Sequence, residues 1–199
     1  MPRRPEAIGA VLAGGSGVRM GGSKAMVALN GRPLISYPVE AVWRALGHAV
    51  IIAKADTELP SLPGVTVWIE PDAPSHPLVG LLHALEMAEG RPILACAGDL
   101  PFVTPRLVRR LAGGARGVSA LLAASGGNAQ PLLGWYHPRS LAVLREIDVA
   151  SGISLREAVG RLRPAFVEVG DPDLLFNVNS PADLLQAAAM IDARARAGR

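Results

Sequence analysis

The sequence repeatedly places a short apolar run, long enough for one strand, before a longer stretch with the pattern of an amphipathic helix. The run over residues 92–97 is wholly apolar, and the run over 7–13 is similar and ends at Gly14-Gly15. Continuous apolar strands of this kind need cover on both faces, which is typical of a parallel sheet between two helical layers. The pattern therefore predicts one α/β domain over residues 1–199, a three-layer α/β/α Rossmann-like arrangement with a mostly parallel sheet.

Further elements follow from the same pattern and from local capping chemistry. Strands are predicted over 7–13, 48–53, 65–69, 92–97, 117–123, 130–136 and 165–169, and helices over 34–46 and 78–89. Capping side chains followed by a proline or an acidic residue mark three further helix starts: Thr104-Pro105, Ser154 with Glu157, and Ser180-Pro181 with Asp183. The glycine-rich stretch 125–128 separates two predicted strands and indicates a turn.

Charge and cysteine content exclude several classes of protein. The chain has 20 Lys and Arg against 17 Asp and Glu, a formal net charge of +3, and its basic residues are scattered. A mild positive balance without a basic stripe argues against nucleic acid and fits a phosphorylated small molecule. Cys96 is the single cysteine, and no apolar run reaches the roughly 18 residues of a membrane span. We therefore expect a cytoplasmic protein that makes no membrane contact, with Cys96 in its core.

The most informative candidate site is the loop over residues 14–24, which follows the first predicted strand. Ligands of open α/β sheets bind beyond the carboxyl ends of the strands, where this loop lies. Its glycines let backbone amides approach an anion, and Arg19 and Lys24 can offset phosphate charge. The loop does not match a P-loop, because Ser23 separates Gly22 from Lys24, and its glycines are too widely spaced for a dinucleotide fingerprint. The loop therefore predicts a phosphorylated ligand outside those two motif classes.

Acidic residues follow two other predicted strands. Asp99 comes after the run 92–97, and Glu70 and Asp72 follow the run 65–69 in a proline-rich loop. An ionised carboxylate beside apolar chain is costly unless it meets a cation or hydrogen-bond donors, and Mg²⁺ commonly uses one or two carboxylates with phosphate oxygens. Asp99 is therefore a candidate magnesium ligand, with a structural cap as the alternative. Glu70 and Asp72 are candidates for contact with a ribose, a base or a metal.

Taken together, these residues resemble the nucleotidyltransferases of molybdenum cofactor maturation, specifically the molybdenum cofactor guanylyltransferase family. That family has Leu-Ala-Gly-Gly-x-x-x-Arg-Met-Gly followed by a lysine, which residues 12–24 match. Three further segments match in the order expected of the family: Asp99-Leu100-Pro101, Gln130-Pro131-Leu132, and Phe176-Asn177-Val178-Asn179-Ser180-Pro181.

The resemblance implies a Mg²⁺-dependent enzyme of the nucleotide-diphospho-sugar transferase fold type that transfers GMP from GTP to a molybdopterin-type cofactor. Pyrophosphate would leave, and in-line attack by the terminal phosphate of the pterin would need no protein nucleophile. Arg19, Lys24 and Asp99 would be catalytic, with Asp99 holding the metal. The implied nucleotide contacts are Leu12, Ala13, Gly14, Gly15, Ser16, Gly17, Lys24, Asp72 and Asp99. The implied acceptor contacts are Gln130, Pro131, Asn177 and Asn179.

Several alternatives stay open at this point. Cytidylyltransferases acting on molybdopterin or on isoprenoid precursors, and a cobalamin-pathway guanylyltransferase, share the fold or the loop, while a catalytically silent nucleotide- or cofactor-binding module belongs to another class. Gly14 stands where cytidylyl relatives commonly have alanine, and the intact Arg19, Lys24 and Asp99 argue against a silent module. We expect GTP to bind in preference to CTP and ATP, because a loop without side chains exposes backbone groups to the guanine edge. Cofactor-receiving molybdoenzymes or their chaperones are the expected protein partners.

Overall fold

One seven-stranded sheet organises the molecule in the computed structural model, which describes residues 7–13, 24–114 and 116–197. In chain order, the strands are β1 (Ile8–Leu12), β2 (Ala28–Leu29), β3 (Arg32–Pro33), β4 (Val50–Ala53), β5 (Thr66–Ile69), β6 (Ile93–Ala97), β7 (Ala120–Ser125), β8 (Asn128–Tyr136) and β9 (Ala165–Glu168). β2 and β3 form a separate two-stranded ladder, and the other seven lie in the order β5-β4-β1-β6-β8-β7-β9.

The helices connect these strands in the alternation that the sequence predicts. They are α1 (Ser36–Leu46), α2 (Pro77–Met87), α3 (Pro105–Ala112), α4 (Ser140–Arg145), α5 (Leu155–Gly160) and α6 (Pro181–Ala197). Short 3-10 helices lie at Lys24–Met26, Val149–Ser151 and Pro172–Leu175. Among the described residues, none of the helices has both the length and the apolar character needed to cross a membrane.

The sheet is mostly parallel, as predicted, with one strand reversed. β1 pairs parallel with β4 and β6, β4 with β5, and β7 with β9, whereas β8 runs antiparallel to both β6 and β7. The reversal follows from the tight turn between β7 and β8, where Gly126 and Gly127 have φ of 54° and 79°. Positive φ at both central residues is what a type I′ two-residue hairpin turn requires, and glycine adopts it without strain.

Alternate side chains of the central strands serve two separate apolar layers. Val11, Ile51 and Cys96 pack on one face with α1 and α3, and Ala10 and Ile52 pack on the other with α2, α4 and α5. Both layers are nearly free of polar side chains. The three-layer α/β/α prediction is therefore confirmed. So is the core position of Cys96, where burial raises the pKa of the thiol.

The predicted helix starts are also confirmed. The Thr104 hydroxyl accepts from the backbone N–H of Leu107 at 3.3 Å, and Ser154 and Glu157 form a reciprocal capping box at α5. At α6 the carboxylate of Asp183 accepts from the N–H of Asn179, which lies one residue before the predicted capping residue Ser180. Three strand boundaries were wrong by two residues or more: the strands predicted over 48–53, 117–123 and 130–136 begin at Val50, Ala120 and Asn128. Gly117 has φ of 79°, which lies outside the extended region that strands adopt.

Candidate active site

The four parallel strands β5, β4, β1 and β6 end side by side at one edge of the sheet, and backbone hydrogen bonds hold the first residue beyond three of them. The N–H of Ala13 donates to Ile52 O at 2.9 Å, the N–H of Glu70 donates to Ala53 O at 2.8 Å, and the N–H of Gly98 donates to Leu12 O at 2.9 Å. The loops after β1, β5 and β6, which carry the predicted nucleotide contacts, therefore begin next to one another. This is the edge at which open α/β sheets bind their ligands.

Gly98 allows the chain to leave β6 against the end of β1. A Cβ on this residue would lie 3.0 Å from the backbone oxygen of Leu12 and 3.4 Å from Ile35. Only glycine fits this close approach of two strands without moving one of them. The next residue, Asp99, is thereby placed at the edge of the sheet.

The Asp99 carboxylate is held by side chains from distant parts of the chain. Lys24 Nζ donates to Asp99 Oδ2 at 2.6 Å, and Asn177 Nδ2 donates to the other oxygen, Oδ1, at 2.8 Å. Lys24 also donates to Asn179 Oδ1 at 2.7 Å. The Lys24 and Asp99 side chains are 16% and 18% exposed, so the ion pair is shielded yet open to a ligand. We call these four residues the Asp99 cluster.

Two further contacts attach the cluster to the fold. Gln130, near the start of β8, donates its side-chain N–H to Asn177 Oδ1 at 2.7 Å. The backbone N–H of Val178 donates to the carbonyl of Asp99 at 3.0 Å, which joins the loop after β6 to the segment before α6. The side-chain amide of Asn177 is thus held at both ends, by Gln130 at its oxygen and by Asp99 at its nitrogen.

Arg194 of α6 packs behind the same two loops. Its guanidinium lies 4.7 Å from the ring centroid of Phe102 and forms ion pairs with Asp171 at 3.1 Å and Asp173 at 3.3 Å. Phe102 in turn packs edge-on against Phe176, with ring centroids 6.2 Å apart. Through these contacts α6 stabilises the position of the loop that carries Asp99 and of the segment that carries Asn177.

Glu70 follows β5 at the same edge of the sheet but in a very different environment. Its side chain is 8% exposed and lies against α2, where a Cβ added to Gly80 would be 2.5 Å from Glu70 Oε2. Burial raises the pKa of the Glu70 carboxyl, and the nearby charge of Lys54 offsets part of that rise. Lys54 itself donates to the backbone carbonyl of Asp72, whose residue is exposed.

The structure brings together five of the residues singled out in the sequence: Lys24, Asp99, Gln130, Asn177 and Asn179. Leu12 and Ala13 are buried at the end of β1, and Pro131 is buried with its carbonyl accepting from the Tyr136 hydroxyl at 2.6 Å. Gly14, Gly15, Ser16, Gly17 and Arg19 lie outside the described residues.

Sequence reasoning missed the supporting residues Gly80, Gly98 and Arg194. Gly98 could have been found from its place between an apolar strand and Asp99. Gly80 and Glu70 are ten positions apart, on either side of a proline-rich stretch, and Arg194 and Phe102 are 92 positions apart, so no local signal marks either contact.

The sequence model of one protein family, the MobA-like NTP transferase domain, matches residues 9–165 of this chain. The chain belongs to the MobA-like NTP transferase family. Within it, the molybdenum cofactor guanylyltransferase of Bradyrhizobium sp. (strain ORS 278) is 34% identical over 200 residues, covering 92% of this chain and 94% of the relative. That of Cereibacter sphaeroides is 32% identical over 192 residues, covering 92% and 96%.

A solved structure of this fold is also similar over nearly the whole chain. The molybdopterin-guanine dinucleotide biosynthesis protein A of Archaeoglobus fulgidus superposes with a TM-score of 0.75 at 23% identity, covering 93% of this chain and 98% of that one. The architecture is accordingly that of the nucleotide-diphospho-sugar transferases. The MobA-like match includes Lys24, Asp99 and Gln130, whereas Asn177 and Asn179 lie beyond its end.

Proposed function

We propose that this MobA-like NTP transferase transfers GMP from GTP to a molybdopterin-type cofactor and releases pyrophosphate. The observation that carries the proposal is the Lys24–Asp99 ion pair, flanked by Asn177 and Asn179 at the ligand-binding edge of the sheet. Two relatives at 34% and 32% identity bear the name molybdenum cofactor guanylyltransferase, which supports the choice of reaction.

The chemistry of the Asp99 cluster fits a magnesium ion. The Lys24 ammonium lies 2.6 Å from Asp99 Oδ2 and 2.7 Å from Asn179 Oδ1, so two oxygen atoms already converge on one cationic group. Oxygen ligands, and commonly one or two carboxylates with phosphate oxygens, are what Mg²⁺ prefers. Asp99 would hold the ion. Bound there, Mg²⁺ would neutralise part of the charge of the phosphates.

The side chains of the chain itself would position the substrates and offset charge. Lys24 has three donors on a flexible stem, so its ammonium can turn from Asp99 to the phosphates and offset charge that accumulates on pyrophosphate. Arg19 is expected to act in the same way from the preceding loop. The terminal phosphate of the pterin would form a bond to the α-phosphorus of GTP as the bond to the β-phosphate oxygen breaks.

No covalent protein intermediate is part of this reaction. Cys96, the single thiol of the chain, lies inside β6 with its pKa raised by burial, which keeps it in the unreactive thiol form. Catalysis then rests on positioning and on charge stabilisation, which is typical of phosphoryl-type transfer.

The two substrates would occupy the two ends of the site. The nucleotide would bind at Leu12, Ala13 and the loop that follows, with Asp72 on the side of β5. The acceptor would bind on the side of β8 and of the segment before α6, where Gln130, Asn177 and Asn179 lie. GTP is proposed over CTP, because Gly14 and Gly15 carry no side chain and backbone groups alone could pair with the guanine edge.

The test is incubation of the purified protein with Mg²⁺, a molybdopterin-type acceptor and, in separate reactions, GTP, CTP or ATP. Mass spectrometry would detect the dinucleotide product, and an enzyme-coupled assay would detect pyrophosphate. We expect the dinucleotide and pyrophosphate to form in the reaction with GTP and in neither of the other two. Product formed mainly from CTP would move the protein to the cytidylyl branch. Nucleotide binding without product from any triphosphate would indicate a binding module.

A further inference from the structure

A directed chain of hydrogen bonds leads from the sheet to the Asp99 carboxylate. Gln130 Nε2 donates to Asn177 Oδ1 at 2.7 Å, and Asn177 Nδ2 donates to Asp99 Oδ1 at 2.8 Å. All three side chains are partly buried. A side-chain amide accepts at its oxygen end and donates at its nitrogen end, so the two bonds determine which end of Asn177 faces Asp99.

We propose that Gln130 is a positioning residue for the proposed metal ligand Asp99, an inference that rests on the magnesium role given to Asp99 above. Gln130 occupies the oxygen of Asn177 with a donor and thereby turns the nitrogen of Asn177 towards Asp99. Without that donor, the Asn177 amide is held at one end only, and its unpaired oxygen can rotate to find another donor and carry the nitrogen away from Asp99. Asp99 then loses the bond that orients its Oδ1.

The hydrogen bond from Asn177 to Asp99 matters most once nucleotide and Mg²⁺ are bound. In the structure, Lys24 holds the second oxygen of Asp99, at 2.6 Å. When Lys24 turns to the phosphates, Asn177 remains as the side-chain donor that fixes the plane of the carboxylate. Hydrogen-bond partners of metal ligands orient the ligand in this way, and their loss typically weakens metal binding or activity about 10- to 100-fold.

The backbone around Asp99 is held independently of Gln130. The N–H of Val178 donates to the carbonyl of Asp99, and the backbone of Gln130 lies opposite Ala123 in the β7–β8 ladder. Both interactions survive a change of the Gln130 side chain. The expected defect is therefore a misoriented carboxylate in a folded protein.

The experiment measures GTP affinity with Mg²⁺ and with EDTA, in the absence of acceptor, by isothermal titration calorimetry. The Kd in EDTA divided by the Kd in Mg²⁺ reports how strongly the metal tightens binding. We expect Gln130→Met to lower this ratio about 10-fold and to leave the Kd in EDTA unchanged. Gln186→Met changes the other glutamine of the chain, which is exposed on α6, and should keep the wild-type ratio.

A double variant tests whether Gln130 acts through Asn177. Asn177→Ala should lower the ratio. Adding Gln130→Met should lower it no further, because the hydrogen bonds from Gln130 to Asn177 and from Asn177 to Asp99 are already lost. Full additivity of the two losses would overturn the inference. A raised KM for the acceptor in Gln130→Met with the wild-type ratio retained would also overturn it. If Gln130→Met does not fold, Gln130→Ala gives the same test.

The magnesium role of Asp99 and the positioning role of Gln130 are distinguished by different results. A wild-type ratio near 1 would overturn the magnesium role of Asp99 and, with it, the positioning role of Gln130. A high ratio that Asp99→Asn abolishes and Gln130→Met retains would overturn the positioning role alone.

Discussion

Asp99 and Glu70 are both carboxylates placed just beyond parallel strands at one edge of the same sheet, yet their surroundings differ. Asp99 receives an ammonium at 2.6 Å and an amide at 2.8 Å, and its side chain is 18% exposed. Glu70 is 8% exposed, lies against Gly80, and receives no hydrogen bond at its carboxylate from the residues that the structure describes. Burial raises the pKa of Glu70.

The difference shows that the partners, and not the position at the end of a strand, determine what a carboxylate can do. Lys24 and Asn177 lie 75 and 78 residues from Asp99 in the chain. They provide the donors that an ionised carboxylate needs inside a protein. Among the residues that the structure describes, Glu70 has in that role only the charge of Lys54, with which it forms no ion pair. Asp99, and not Glu70, is therefore the carboxylate that we expect to bind a cation.

The largest effect is expected for the two carboxylates themselves. Asp99→Asn keeps the shape of the side chain but removes its charge, and should lower kcat about 1,000-fold, the upper range for loss of one charge-stabilising group. Glu70→Gln should change kcat by less than about tenfold. Steady-state kinetics with GTP and acceptor measure both. Equal losses would contradict the assignment of Asp99.

The two lysines of the chain, Lys24 and Lys54, offer a matched second comparison. Lys24→Met should lower kcat about 100-fold, because the charge that offsets the leaving pyrophosphate is lost. Lys54→Met should lower kcat by less than about tenfold, since Lys54 binds the Asp72 carbonyl. The same kinetic assay separates them. A larger loss in Lys54→Met would place the phosphates near β5 instead.

Two glycines beside the carboxylates should differ in their effect on stability. In Gly98→Ala the new methyl meets the backbone oxygen of Leu12 at 3.0 Å, and overpacking of this kind costs about 1–3 kcal/mol of unfolding free energy. In Gly80→Ala the new methyl meets the far end of the Glu70 side chain at 2.5 Å, which can turn aside more easily than a backbone oxygen, and alanine regains about 0.5–1 kcal/mol in a helix. Urea unfolding measures both. A larger loss of unfolding free energy in Gly80→Ala than in Gly98→Ala would contradict this prediction.

The smallest effect is a dependence of stability on pH. A carboxyl with a raised pKa binds its proton more tightly when folded, so its contribution to stability is present below the ordinary value of 4.5 and is lost as pH rises through the raised value. Glu70→Gln should therefore stabilise the protein more at pH 7 than at pH 4. Melting temperatures of both proteins across this range measure the difference. A constant difference would contradict a raised pKa at Glu70.

Local pattern was enough to predict the layers, most strands, the helix starts and the position of Asp99. Each of these depends on residues close together in the chain, such as the apolar run of β6 or the pair Thr104-Pro105. The members of the Asp99 cluster beyond Lys24 and Asp99 came from family resemblance, since Asn177 and Asn179 carry no chemical signal by themselves.

The hydrogen bonds of the cluster could not be predicted from the sequence. The Gln130–Asn177 bond joins residues 47 positions apart, and the bond from Asn177 to Asp99 spans 78 positions. Such contacts depend on how β8 and the segment before α6 meet in space. Similarly, nothing local shows that Glu70 is buried against Gly80 whereas Asp99 is paired.

A crystal structure with Mn²⁺ in place of Mg²⁺ and a non-hydrolysable GTP analogue tests the central claim most directly, because the anomalous signal of manganese locates the ion. We predict one manganese peak between Asp99 and the phosphates, with Lys24 on the phosphates and Asn177 still bonded to Asp99 Oδ1. Manganese bound at Glu70 or Asp72, with the Lys24–Asp99 ion pair intact, would contradict the account.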